Sequence, residues 1–358
     1  MDHSPPPPTG ICLDMCPEQE IRLREQQGRL HRFETANVVN AKKVRGGYLH
    51  VADPKKAVKE YSRPAAGKEL SCPRDLRTPN TLLKTVQYLI MDVFEYAKDR
   101  GPRMLAEAYS FVFDRLRSVR QDLIVQRVRG KLGAQILEGS LGFLLCAPYL
   151  VRELAIEWYD EVLHAVQVRE TFSDLMECYQ EGGSYPRQAE FQALLLLYDL
   201  GNLDAMHRAM TLPRGVGDSP HVNLALAISR AHLESNWVRL FRLVHRLNCL
   251  QACAFYGHVP IIRHRALHVL NQAYSSKKLL FPLDNLAKQI GANGPEVVAD
   301  MCKRRGLTLD PGGKHVMFFK ASFIGVGSES PGREVLLVEQ KRREWSWAEI
   351  MMGEEEAG

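Results

Sequence analysis

Between Pro79 and about Ser275, apolar residues return with the period of an α-helix, and this pattern limits the chain to a helical body more tightly than any other feature. Leu82, Val86, Leu89, Ile90, Val93 and Phe94 fall on one stripe, with Asn80 expected as its N-cap. Leu105, Ala108, Val112, Leu116, Val119 and Leu123 form a second stripe. Phe191, Leu194, Leu195 and Tyr198 form a third, closed by Gly201. Shorter patterned stretches follow around Ala205, from Leu224 to Leu233 and from Trp237 to Leu250. Each helix exposes an apolar face that only a neighbour can cover, so short turns between them imply a stacked array of helical hairpins.

After Ser275 the pattern changes. Pro282–Ile290 and Pro295–Arg305 read as two short helices, with Pro295 suited to a first helical position. Leu307-Thr-Leu309, the turn Asp310-Pro-Gly-Gly313 and Val316-Met-Phe-Phe319 then read as a β-hairpin. Two helices and a hairpin outline a winged helix, with Leu286, Val297, Met301 and Phe318 as its expected small core. The expected fold class is therefore mainly α: a stacked helical-hairpin array ending in a winged helix with a small β-hairpin.

The flanks carry other compositions. Residues 1–10 are proline-rich and expected to be disordered. Residues 11–78 hold a short helix, led by Pro17 and two acidic residues, and then a basic connector. Lys42, Lys43, Arg45, Lys55, Lys56, Lys59, Arg63 and Lys68 face only Asp53 and Glu60 there, in a protein of net charge +5. With Gly46-Gly47, Pro54, Pro64 and Pro73, that connector is expected to have little core of its own and to suit an acidic surface. The remaining divisions are the array at 79–275, the winged helix at 276–325, and a strand at 334–339 within a C-terminal segment, 326–358, that ends in Glu354-Glu-Glu356.

The 358 residues are 45% hydrophobic and 25% charged, which excludes collagenous, disulfide-scaffold and wholly disordered classes. No apolar run follows Met1, and the longest uncharged stretch, Gly139 to Val151, is too short for a membrane span. Secretion and membrane anchorage are not expected. The eight cysteines are dispersed and read as reduced thiols of the cytosol or nucleus.

No HExxH, GxSxG or GxGxxG is present, and none of the pairs Gly67-Lys68, Gly130-Lys131 and Gly313-Lys314 is followed by Ser or Thr. An enzyme is therefore not expected, nor a cofactor. Cys12/Cys16 and Cys249/Cys253 have four-residue spacing, and His245 lies one turn before Cys249, yet neither set reaches the four ligands of a structural zinc site. They read as structural thiols. Asp114, Arg115, Arg117, Arg120 and Asp122 alternate in sign along a helix; ion pairing that fixes the array is preferred over a phosphate- or acid-binding face. Lys303, Arg304 and Arg305 at the end of the second short helix, with Lys314 and His315 at the wing, leave two alternatives open. They could straddle a nucleic-acid backbone, or merely complement the helix dipole in a protein-docking winged helix.

The run Cys12-Leu-Asp14-Met15-Cys16-Pro17-Glu18 resembles the CPDMCPE motif that opens the homology region of the SAC/GANP family of PCI-like scaffolds. Arg77-Thr-Pro79, Val86-Gln-Tyr88-Leu89 and the block Phe113 to Asp122 resemble further family elements, and the likeness covers about Gly10 to Phe323. Leu13 departs from the motif's proline, and the family's FH and NxxQL elements are not found around Trp158 to Tyr179. The resemblance implies a scaffold of a nuclear-pore-associated transcription and mRNA-export complex, pairing with a second PCI-type subunit and helping to bind RNA or DNA. Phe-Gly repeats and a long C-terminal helical region are absent from the 358 residues. That places the likeness nearest the family's small members, tied to centrosome duplication and mitotic spindle progression, with cytoplasmic, centrosomal and spindle localisation, a nuclear pool, and centrosomal or spindle proteins as partners.

Overall fold

In the computed structural model, the described residues are 6–36, 42–44, 47–49, 51–63, 71–154, 158–276, 278–325 and 332–353. The chain is mainly helical, with a small three-stranded antiparallel sheet near its end. It divides into two compact units: 1–147, 153–185 and 346–358 form one, and 148–152 with 186–345 form the other. No helix among the described residues is long and apolar enough to cross a membrane. Arg45, Lys68 and Glu354–Glu356, singled out by charge, lie outside the described residues, as do the side chains of Lys42 and Lys43.

In the first unit the leading apolar stripe is the core. Leu82, Val86, Leu89, Ile90, Val93 and Phe94 are all buried along the helix Pro79–Gln87 and the π-helix Tyr88–Phe94 that continues it. The cap is Thr78 rather than Asn80: the Thr78 hydroxyl accepts from the Thr81 amide and Pro79 takes the first turn, where no amide is needed. The central helix Pro102–Val125 buries Ala108, Val112, Leu116, Val119 and Leu123, with Leu105 half-buried near its start. Helices Gly130–Leu150 and Glu161–Gln180 follow it. The C-terminal helix Trp347–Met352 returns to this unit, burying Ile350 and Met351 against the π-helix. It fits because Gly142 has no side chain: a Cβ there would stand 2.1 Å from the Met351 carbonyl oxygen.

In the second unit helix Gln188–Tyr198 packs on Pro220–Leu233 and Cys249–Phe255, and Trp237–Val244 packs on Val259–Ala273. After Val259–Ala273 come strand Phe281–Pro282, helices Leu283–Gln289 and Pro295–Arg304, and strands Thr308–Leu309 and His315–Met317. The last strand lies between the other two, Val316 facing both Phe281 and Leu309. This is the element order of a winged helix, and Leu286, Met301 and Phe318 are buried in it. Val297, expected in that core, is 39% exposed, and its neighbour Val298 points inward instead. Residues 335–339, expected as a strand, form a π-helical turn packed on Cys249–Phe255. Their neighbour Glu334 anchors the turn instead of a ladder: it is buried against Arg263, which donates to its carboxylate and to the Ile290 and Gly291 carbonyls.

Candidate partner-docking site

The motif segment is laid along the first unit by its backbone. The Ile11 amide donates to the Pro73 carbonyl at 2.9 Å, the Cys12 amide to Leu76 at 3.0 Å, and the Thr78 amide to Cys12 at 3.0 Å. Gly10 lies so close that a Cβ would meet the Leu76 carbonyl at 2.5 Å, and its amide donates to the Gln126 side chain. Met15, Cys16 and Pro17 turn inward, while Asp14 and Glu18 stay exposed. The Cys12 thiol donates to the Asp14 carbonyl at 3.3 Å, and Glu18 pairs with Arg22 one turn on. Cys16 is shut off from water beside Glu20, which pushes its thiol up to about 12, so it is no thiolate ligand at neutral pH.

Beneath the motif lies a buried charge cluster. Arg24, on helix Glu18–Gln26, donates two hydrogen bonds to the Glu34 carboxylate at 2.8 and 2.9 Å, one to the Cys16 sulfur at 3.2 Å and one to the Val58 carbonyl at 3.0 Å. Glu34 also accepts from Arg115 at 3.2 Å and from the Val58 amide at 3.0 Å. Burial alone would raise the Glu34 carboxyl, but the Arg115 and Arg24 guanidiniums outweigh it and hold the group below the usual carboxylate range. One carboxylate thus joins the motif helix, the connector and the central helix.

A second cluster lies farther along the central helix. Asp122 accepts from Lys59 at 2.7 Å and from Arg77 Nε at 2.8 Å, and Arg77 reaches the Ser118 hydroxyl at 2.9 Å. Asp114 pairs with its neighbour Arg115, Arg117 lies 3.9 Å over the Tyr61 ring, and Arg120 pairs with Asp174 and Glu170. Part of the basic connector is therefore structural. Ala57 and Val58 are fully buried and Lys59 is spent on Asp122, in a segment expected to have little core, while Lys55 and Arg63 remain exposed.

The basic positions of the winged-helix end separate. Lys303, Arg304 and Lys314 are exposed, Arg304 pairing with Asp300 one turn back. Arg305 is buried, its guanidinium against the His264 ring, so it is unavailable to a nucleic-acid backbone. His315 is half-buried against Asp310 at 3.4 Å. Asp310 closes the wing by accepting the Lys314 and His315 amides at 2.8 and 2.7 Å, bonds that hold its carboxyl below the ordinary range. Cys249 and Cys253 are buried in their helix, the Cys249 thiol approaching the Val338 carbonyl. Among the described residues no three His, Cys, Asp or Glu side chains are placed to share a metal ion.

Residues 15–311 match the family profile described as the SAC3/GANP family. The chain belongs to the SAC3/GANP family. Protein xmas of Drosophila melanogaster is 27% identical over 357 residues, 96% of this chain and 16% of that protein. SAC3 family protein 1 of Schizosaccharomyces pombe is 29% identical over 374 residues, 96% of this chain and 35% of its own length. SAC3 family protein B of Arabidopsis thaliana is 25% identical over 307 residues, 81% of this chain and 17% of its own. The chain therefore spans between about a sixth and a third of these relatives. The SAC3/GANP match begins inside the motif at Met15 and ends in the wing turn at Pro311, so it takes in both charge clusters and the exposed Lys303 and Arg304.

Arg24 and Glu34 were not legible as partners in this SAC3/GANP sequence. A charged residue among charged neighbours on a short helix reads as solvent-facing, and only the fold brings residues 24, 34 and 115 within hydrogen-bond reach. Arg77 stood in a recognisable Arg-Thr-Pro element, but nothing in the spacing pointed to Asp122.

Proposed function

We propose that the chain is a scaffold that holds macromolecular partners and turns over no substrate, working in centrosome duplication and spindle progression through protein docking of its helical body. The observation that carries this reading is the use made of its most family-like residues. Cys12, Cys16, Arg77, Arg115 and Asp122 are spent on clamping segments 6–36, 51–63 and 71–78 to the central helix, which makes a fixed surface and not a reacting centre. Burying paired charges is a poor source of stability and a good source of a single arrangement, which a docking surface needs. The partners are a second PCI-type subunit or centrosomal and spindle proteins, in the cytoplasm and with a nuclear pool.

A second reading, an mRNA-export adaptor that touches RNA or DNA, is favoured by the exposed Lys303 and Arg304 at one helix end and Lys314 at the wing. Proximity labelling from the tagged protein in dividing cells separates the two, with a Lys303→Ala/Arg304→Ala variant that leaves buried Arg305 in place. Centrosomal and spindle neighbours that persist in the variant support the first reading. Export subunits as the main neighbours, with RNA crosslinking lost in the variant, replace it by the second. Nucleic-acid contacts would also show in vitro as a salt slope that falls by about one for each phosphate-contacting cation removed.

A further inference from the structure

A cavity of about 330 Å³ opens in the second unit among helices Pro220–Leu233, Trp237–Val244 and Val259–Ala273. The apolar residues behind it, Ala231, Leu240 and Ile262, are almost wholly buried and offer a ligand almost no surface. What stands open is mainly polar: His232 and His264 are half-buried, Arg265 and His268 are exposed, and Val269 is the one exposed apolar side chain among the lining residues. No carboxylate lines the space. Glu234, the nearest in sequence, is paired with Arg239 at 3.4 Å.

The donors around this space are fixed by their surroundings. A guanidinium can only donate, so the Arg305 contact to His264 Nδ1 leaves the ring proton on Nε2. The His268 ring is held by an edge contact to Phe323, with 5.5 Å between centroids. The Trp237 indole N–H is buried with no hydrogen-bond partner among the described residues. Positive charge is felt inside: burial first, and then the charges of His258 and Arg265, hold the His232 ring below its ordinary range. With no carboxylate in the lining, an anion from outside is the ligand that this field favours.

The arrangement of donors decides which anion. A carboxylate is satisfied by one guanidinium fork. Here a guanidinium, three imidazoles and an indole from three helices surround one space, which suits the tetrahedral oxygens of a phosphate. A nucleic-acid strand needs cations spaced along a track, whereas these share one enclosure. The volume is at the small end of the range for ligand pockets and fits a small molecule.

We propose that this cavity binds the phosphate group of a small molecule, with Arg265 and His268 at its open edge and His232, His264 and the Trp237 indole donating from within. The proposal goes beyond both readings of the scaffold, and partner docking or RNA contact can each fail without it.

The test is isothermal titration calorimetry of the full chain, at constant ionic strength, with inorganic phosphate, adenosine monophosphate and adenosine as probes. The proteins compared are the wild type, Arg265→Ala, His268→Ala and, as a control in the same unit, Arg242→Ala. All three substituted positions are exposed, and circular dichroism checks that the variants fold. The expected result is a Kd below about 1 mM for at least one phosphate-bearing probe and no binding of adenosine. Arg265→Ala and His268→Ala are expected to bind that probe about tenfold more weakly, the loss of one charge-assisted hydrogen bond, and Arg242→Ala equally. Equal affinity for phosphate and adenosine monophosphate assigns the free anion, and tighter binding of the monophosphate assigns an ester. Absence of saturable binding by both overturns the proposal, as does adenosine binding as tightly as its monophosphate, or undiminished binding by Arg265→Ala and His268→Ala. A fluorescein-labelled oligouridine that binds through Arg265 while neither small probe binds overturns it in favour of RNA.

Discussion

Glu34 is fully buried, and two guanidiniums and the backbone amides of His31 and Val58 converge on its carboxylate. Glu34→Gln keeps the shape and removes the charge, leaving Arg24 and Arg115 under-compensated. Breaking a buried pair on one side costs about 3–5 kcal/mol, so the urea midpoint of the full chain is expected to fall by a corresponding amount. His164 reports from the same unit in the opposite chemical sense. Its Nε2 faces the Leu144 carbonyl, which can only accept, so Nε2 carries the proton and Nδ1 accepts from the Tyr109 hydroxyl at 2.9 Å. Burial pushes this ring down to about 4, below the ordinary histidine value. As pH falls below 6.5 the unfolded chain takes up a proton that the folded chain refuses, so stability is full above 6.5 and declines toward pH 4. The loss is about 3 kcal/mol over that window. Unfolding midpoints from pH 7 to 4 should show it, and His164→Gln should flatten the slope. The Glu34 contribution falls away in a lower window, as pH passes below the ordinary carboxylate range.

At the scale of elements, the C-terminal helix Trp347–Met352 is a short piece that could not hold its shape alone. Three local devices place it: the Ser346–Glu349 capping box, the Ala348 amide donating to Glu95, and the flat seat at Gly142. Gly142→Ala pushes a methyl group into the Met351 backbone. Overpacking of this kind costs about 1–3 kcal/mol, and the variant is expected to show a shifted Trp347 fluorescence and faster hydrogen exchange in residues 346–353. A strand was expected at 334–339 because Val335, Leu336, Leu337 and Val338 are a short apolar run, and such a run does not state its own period. An Asn80 cap was expected because Asn is a good cap, while Thr78 wins by lying directly before Pro79.

For the whole molecule, each compact unit has its own buried arginine clasp: Arg24 and Arg115 on Glu34 in the first, Arg263 on Glu334 in the second. Arg263→Met strands the Glu334 carboxylate and frees the Ile290 and Gly291 carbonyls. Hydrogen exchange is expected to rise in 259–273 and 332–339, with several kcal/mol lost from the unit that holds them. The sequence by itself determined that the body is helical, where its main apolar stripes lie, that a helix pair and hairpin end it, and which family motif opens it. These are legible because helical burial repeats every three to four residues and turns need particular residue types, both local properties of the chain. Tertiary structure alone decided which charges are buried partners and which face water. Lys59 and Lys55 are alike in sequence, as are Arg305 and Arg304, yet Lys59 and Arg305 are withdrawn while Lys55 and Arg304 are exposed. The reason is that an ion pair is recognised by distance and desolvation, and residues 24, 34 and 115 acquire both only when separate segments are folded onto one helix.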